Sequence, residues 1–189
     1  MTTIYTVSYL SSDFVTLTPP EIDAAFAAGK RIRIESEARG LKDRRDVLVK
    51  EEKVDAEKIQ QLGALSEQIV GKYFGLYVSY AYNTFRTADL PFNIEVRTIG
   101  REHFGLRVYA KDDDSRRVVG VVIPPGMERG PKYRIAGWIV AGDAKKHWEW
   151  TQNPYNAGEF FGVPQASLRH IKELVEIIGR GRDTTGVTK

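Results

Sequence analysis

The sequence predicts a mixed α/β fold, with a central mixed sheet of about five strands flanked by helices. Three observations lead there. Segments 19–39 and 55–74 carry apolar residues every third or fourth position, the spacing that lines one face of a helix. Between 76 and 141, short runs of β-branched and aromatic residues alternate with Gly, Pro and Asp punctuation, as strands and turns do. Helical spacing then returns at 168–178. A chain of 189 residues with 42% hydrophobic and 28% charged residues is expected to form one domain, over 1–179, followed by a mobile tail at 180–189.

Taken in order, residues 4–10 (Ile-Tyr-Thr-Val-Ser-Tyr-Leu) form a short strand candidate. Thr18-Pro19-Pro20-Glu21 is a helix start: a threonine cap, prolines in the first turn and an acid near the positive end of the dipole. The helix should run from Pro19 to Arg39, with Ile22, Phe26, Gly29, Arg33 and Ile34 at helical spacing. Residues 41–54 are charged and aperiodic, hence a loop. Asp55 caps a second helix reaching Phe74, whose core stripe is Ile59, Leu62, Leu65, Ile69 and Tyr73.

Strands are expected at Leu76–Tyr82, Ile94–Ile99 and Phe104–Tyr109, arranged as an antiparallel meander. Lys111-Asp112-Asp113-Asp114-Ser115 lacks the spacing of a calcium loop and is expected at an exposed hairpin tip. Val118–Ile123 is continuously apolar, as for a central strand buried on both faces. Tyr133–Ala141 is a further strand carrying Trp138. Pro164-Gln165-Ala166-Ser167 should open a last helix with Leu168, Ile171, Leu174, Val175 and Ile178 inward, ended by Gly179. Before it, Trp148, Trp150, Tyr155, Phe160 and Phe161 form an aromatic loop that covers the open edge of the core, stacks unpaired bases or binds a partner.

Composition narrows the function classes. With no cysteine, disulfides, thiolate zinc sites and cysteine nucleophiles are excluded. No apolar run approaches eighteen residues and the N-terminus lacks a secretion signal, so a soluble intracellular protein with no membrane association is expected. A net charge of +3 tolerates a nucleic-acid partner without demanding one, but residues 30–50 alone carry a local charge of +4. Lys30, Arg31, Arg33 and Arg39 therefore either form a solvated helix face or contact a DNA or RNA backbone.

The chemistry concentrates at 89–98. In a strand starting at Ile94, Glu95 and Arg97 share one face and Ile94, Val96 and Thr98 the other, because side chains alternate with period two. Asp89 precedes this strand by a Pro91 turn that can carry its carboxylate to the same end, and converging carboxylates suit a hard divalent ion. The plain alternative is a surface ion pair worth under about 1 kcal/mol. Glu67 lies at the edge of the second helix's stripe, with Gly63 one turn before and Gly71 one turn after. The glycines either clear space around its carboxylate or serve close packing.

A helical glutamate, then an aspartate, then Glu-x-basic on a strand resembles the PD-(D/E)XK nuclease superfamily, with its restriction-endonuclease-like fold. Gly63–Glu67, Asn83–Phe85, Gly137–Ile139 and Gly142–Lys145 further resemble small phage-encoded proteins of that kind. The resemblance spans about 19–178. It implies a nuclease hydrolysing DNA, with RNA left open, to 5′-phosphate products in the cytoplasm of a phage-infected or prophage-bearing bacterium. It implies magnesium, or manganese, on Glu67, Asp89 and Glu95, and puts Arg97 at the lysine position. Arginine stays protonated, so it cannot act as a base there, but it can stabilise developing phosphorane charge. Lys145, beyond the end of a neighbouring strand, would supply an ammonium from elsewhere. Ala88 stands where the family name has proline. The alternative is a catalytically inactive module of the same fold that binds nucleic acid or protein, and a homodimer is left open.

Overall fold

The structure, a computed structural model, describes residues 12–39, 55–80, 87–147, 150–151 and 160–183. The expected strand at 4–10, the loop at 41–54, the Asn83–Phe85 motif, Trp148 and Tyr155 lie outside them. β1 (Phe14–Val15) leads into α1 (Pro19–Ala38). The Glu21 carboxylate accepts from the Thr18 N–H at 2.6 Å and from its hydroxyl at 2.8 Å, closing the helix start from both sides. Lys72 Nζ, 2.7 Å from Glu21, ties α1 to α2 (Ala56–Phe74). Asp55 caps α2 by accepting from the N–H groups of Glu57 and Lys58, and Gly75, at φ 62°, ends it.

The two helices meet at Gly29, where an added Cβ would stand 2.5 Å from the Gln61 Cα. Backbone cannot yield as a side chain can, so Gly29→Ala should destabilise the protein by roughly 1–3 kcal/mol. The urea midpoint at unchanged slope measures this. The buried face of α1 consists of Ile22, Ala25, Ala28 and Gly29. Ile34, expected on it, is 56% exposed, because it lies beyond the contact that Gly29 makes with α2.

β2 (Ile94–Ile99), β4 (Arg117–Val122) and β5 (Tyr133–Val140) join β1 in a four-stranded sheet of order β1-β5-β4-β2. β3 (Leu106–Tyr109) does not continue a meander. It pairs antiparallel with β7 (Phe160–Val163), which also pairs with β6 (Trp150–Thr151), in a second sheet of three strands. Leu106 and Val108 of β3 pack on the main sheet through Ile99, Val118 and Val122, so β3 crosses its face and β2 and β4 end up parallel. Residues 76–80 alternate buried and exposed but form no strand, so the main sheet has four strands among the described residues, not five. Phe160 and Phe161 lie in β7 rather than in a loop.

β4 is central and buried on both faces, as its apolar run predicts. Val119, Val121 and Ile123 meet Leu65, Ile69 and Tyr73 of α2 and Leu174 of α4 (Ile171–Asp183) in one core. Val118 and Val122 meet Leu106, Val108, Phe161 and Val163 in another. The last helix starts later than expected. Residues 165–167 make a 3-10 turn, Leu168 packs into the second core, and Arg169 exchanges backbone hydrogen bonds with Trp138 at 2.9 and 3.0 Å. Gly179 does not end α4, since a glycine costs a helix only about 1 kcal/mol and the segment continues to Asp183. No helix among the described residues is long and apolar enough to cross a membrane.

Candidate functional site

β2 is the edge strand of the main sheet, and the site forms along its open side. The chain arrives there through Leu90, whose N–H bonds the Ile94 carbonyl at 3.0 Å, and reverses at Phe92 and Asn93, which have φ of 64° and 58°. Asn93 is held by Ser115 Oγ at 2.9 Å and by the Arg117 N–H, 2.9 Å from its carbonyl. The reversal lays Asp89 against the strand edge, where Oδ2 accepts the Val96 N–H at 2.8 Å. On one face of the sheet, Ser66 and Thr98 hydroxyls meet at 2.8 Å and Thr98 also donates to the Leu62 carbonyl at 3.2 Å, which fixes α2 against β2. Glu67, the next residue, lies within reach of the charges of Asp89 and Glu95.

The carboxylates of Asp89 and Glu95 both act on Glu67. Burial, aided by these two charges, pushes the Glu67 carboxyl up to about 8, and no described donor offsets them. Glu95 is pushed up to about 7: burial raises it most, Arg97 and Arg116 lower it, and Asp89 raises it. Burial also raises Asp89, against the Val96 hydrogen bond and the two guanidiniums. Burial in low dielectric thus holds back ionisation of each carboxyl, with Asp89 and Glu95 adding to it at Glu67 and Asp89 adding to it at Glu95. The glycines beside Glu67 have different causes. A Cβ on Gly63 would meet open space, whereas one on Gly71 would collide with the Val78 side chain, so Gly71 serves packing.

Glu95 and Arg97 do share a face, and they pair: Arg97 Nη2 stands 2.8 Å from Glu95 Oε1. Two partners of this pair were not legible in the sequence. Arg116, just before β4, donates to Glu95 Oε2 at 3.1 Å. Asp112 is not at an exposed tip but 4% exposed, accepting from Arg97 at 3.0 Å and from the Tyr109 N–H at 2.8 Å. The Arg97 guanidinium also lies over the Tyr109 ring, 4.9 Å from its centre. The parallel pairing of β2 and β4 sets Glu95 beside Val118 and so brings Arg116 within reach.

Lys145 lies on α3 (Ala141–His147) and donates to the Asp112 carbonyl and, at 2.7 Å, to Asp114. These bonds brace the turn behind Asp112; none of them goes to Glu67, Asp89 or Glu95. On α1, Arg31 pairs with Glu35 at 3.8 Å and Arg33 with Glu37 at 2.7 Å, which balances part of the positive charge along that helix. Lys30 and Arg39 are exposed.

Three carboxyls whose ionisation burial opposes, one of them facing the charges of the other two without a described donor, suit a divalent cation. The fit is partial. Among the described residues no three His, Asp or Glu side chains already stand together as a ligand set, and both Glu95 oxygens lie in ion pairs with guanidiniums, so an ion there shares an oxygen with Arg97 or Arg116. Compared with protein-family models, with curated proteins and with solved structures, the chain matches none of them.

Proposed function

We propose that this protein is a metal-dependent nuclease that hydrolyses phosphodiester bonds in DNA, with a restriction-endonuclease-like core. The observation that carries the proposal is the Glu67 carboxyl, pushed up by burial and by facing Asp89 and Glu95 with no described donor. A cation at the edge of β2 would relieve that repulsion and let all three ionise. Glu67, Asp89 and Glu95 would hold magnesium or manganese, which supplies an activated water and polarises the phosphate.

The chain's own residues divide the remaining work. Arg97, permanently charged and 2.8 Å from Glu95, would neutralise charge developing on phosphate oxygens near the acids. Arg116 and Asp112 orient Arg97 and Glu95. Lys145 holds the Asp112–Asp114 turn in place. Lys30, Arg31, Arg33 and Arg39 would contribute non-specific backbone contacts, weakened for Arg31 and Arg33 by their helical acid partners.

Purified protein should nick or degrade DNA with Mg²⁺ or Mn²⁺, and chelation should stop it. Arg97→Lys should keep or raise the cleavage rate, because an ammonium can replace the charge and can also exchange a proton. The second reading, a nucleic-acid or protein-binding module without turnover, is favoured by the two guanidiniums on the Glu95 oxygens. It prevails if wild type and Arg97→Lys are both inert on single-stranded, double-stranded and branched DNA.

A further inference from the structure

The segment after α2 alternates: Leu76 and Val78 are buried in the core, while Tyr77 and Ser79 face outward. Tyr77 is 80% exposed, more than any other large hydrophobic side chain among the described residues. A lone exposed ring is ordinary on a protein surface. This one is set apart by what adjoins it. Ser79, on its outward side, lines an open groove of about 530 Å³ together with Thr87, Asp89 and the Leu90–Asn93 reversal.

Backbone strain gathers at the same place. The non-glycine residues at positive φ among the described residues are Tyr80 (47°), Phe92 (64°) and Asn93 (58°). Phe92 and Asn93 line the groove, and Tyr80 directly follows Ser79, which lines it too. Such a conformation is disfavoured for a side-chain-bearing residue and persists only where surroundings hold it. Tyr80 is held by its hydroxyl, 2.5 Å from Gln68 Oε1, and by Arg31 Nη2, 3.3 Å from its carbonyl. The groove thus has an exposed aromatic ring two residues before Ser79, an exposed guanidinium on the Tyr80 carbonyl one residue after it, and a candidate metal ligand, Asp89, in its lining.

An aromatic ring beside a phosphate-cleaving centre recognises the face of a base, and in a duplex those faces are already stacked on one another. We propose that Tyr77 is a stacking platform for an unpaired base, and that the strand entering the Asp89 groove is single-stranded. This rests on the nuclease reading for the identity of the ligand. Arg31 would meet the backbone of the same strand.

Binding of the full chain to a labelled oligothymidylate of about fifteen nucleotides and to a duplex of equal length tests the inference. Measurement with Ca²⁺ in place of Mg²⁺, and again with chelator, separates binding from cleavage. Wild type should prefer the single strand. Tyr77→Ala should weaken that binding about tenfold and leave duplex binding unchanged, and Tyr77→Trp should restore it. The melting temperature should not move, since an exposed ring contributes little burial. Equal single-strand binding by wild type and Tyr77→Ala overturns the stacking role while the nuclease reading stands. A wild-type preference for duplex overturns the single-strand assignment. No binding to either probe under either condition removes the nuclease reading along with it.

Discussion

Glu67→Gln should abolish metal-dependent cleavage while leaving the metal-free protein as stable as wild type or more so. Its carboxyl makes no described hydrogen bond that the change would break, and the amide removes a charge that Asp89 and Glu95 oppose. Loss of a direct ligand should lower the rate by at least roughly a hundredfold, since outer-shell changes alone cost about 10–100-fold. Stability against pH gives a second readout. The Glu67 carboxyl sits at about 8 in the fold against an ordinary value of 4.5. Between those values the unfolded chain releases a proton that the folded chain keeps, so wild-type stability should fall as pH rises from 4.5 to about 8. Glu67→Gln should flatten that slope, and Mg²⁺ at pH 8 should raise the wild-type melting temperature more than the variant's. Full activity in the variant, or a pH slope as steep as in wild type, would remove Glu67 from the site.

Glu95→Ala should also end cleavage, but by a different route. A carboxylate serving only as a metal ligand could be truncated with the fold intact. Glu95, at 7% exposure, instead separates two guanidiniums, Arg97 at 2.8 Å and Arg116 at 3.1 Å. Both Nε atoms of these arginines are already buried without a described acceptor. Removing Glu95 leaves Arg116 with no described ion-pair partner and Arg97 with Asp112 alone, and breaking a buried pair costs about 3–5 kcal/mol. Against a total stability of about 5–15 kcal/mol, that should lower the denaturation midpoint severely. Glu95→Gln keeps an acceptor oxygen and should unfold less readily while still losing activity. An Ala variant as stable as wild type would show that the arginines find other acceptors.

Local sequence determined the parts whose causes lie within a few residues. Thr18 to Glu21 specified the start of α1, Asp55 and Gly75 bounded α2, and the unbroken apolar run at 118–123 marked the central strand. Alternation alone put Glu95 and Arg97 on one face, and their ion pair follows from it. Tertiary structure decided the rest. Asp112, one of three consecutive acids in a polar turn, carries no local sign of burial. It is buried because β3 crosses the main sheet and its turn packs behind Arg97. Arg116 meets Glu95 only because that crossing makes β2 and β4 parallel and sets their register. Gly179 ended nothing, because a glycine inside a helix costs only about 1 kcal/mol and does not stop it, and the helix runs on to Asp183. Capping and periodicity act over one helical turn or two strand residues and can be read along the chain. Charge pairing in the site joins residues brought together by strand order, and strand order depends on how whole faces pack.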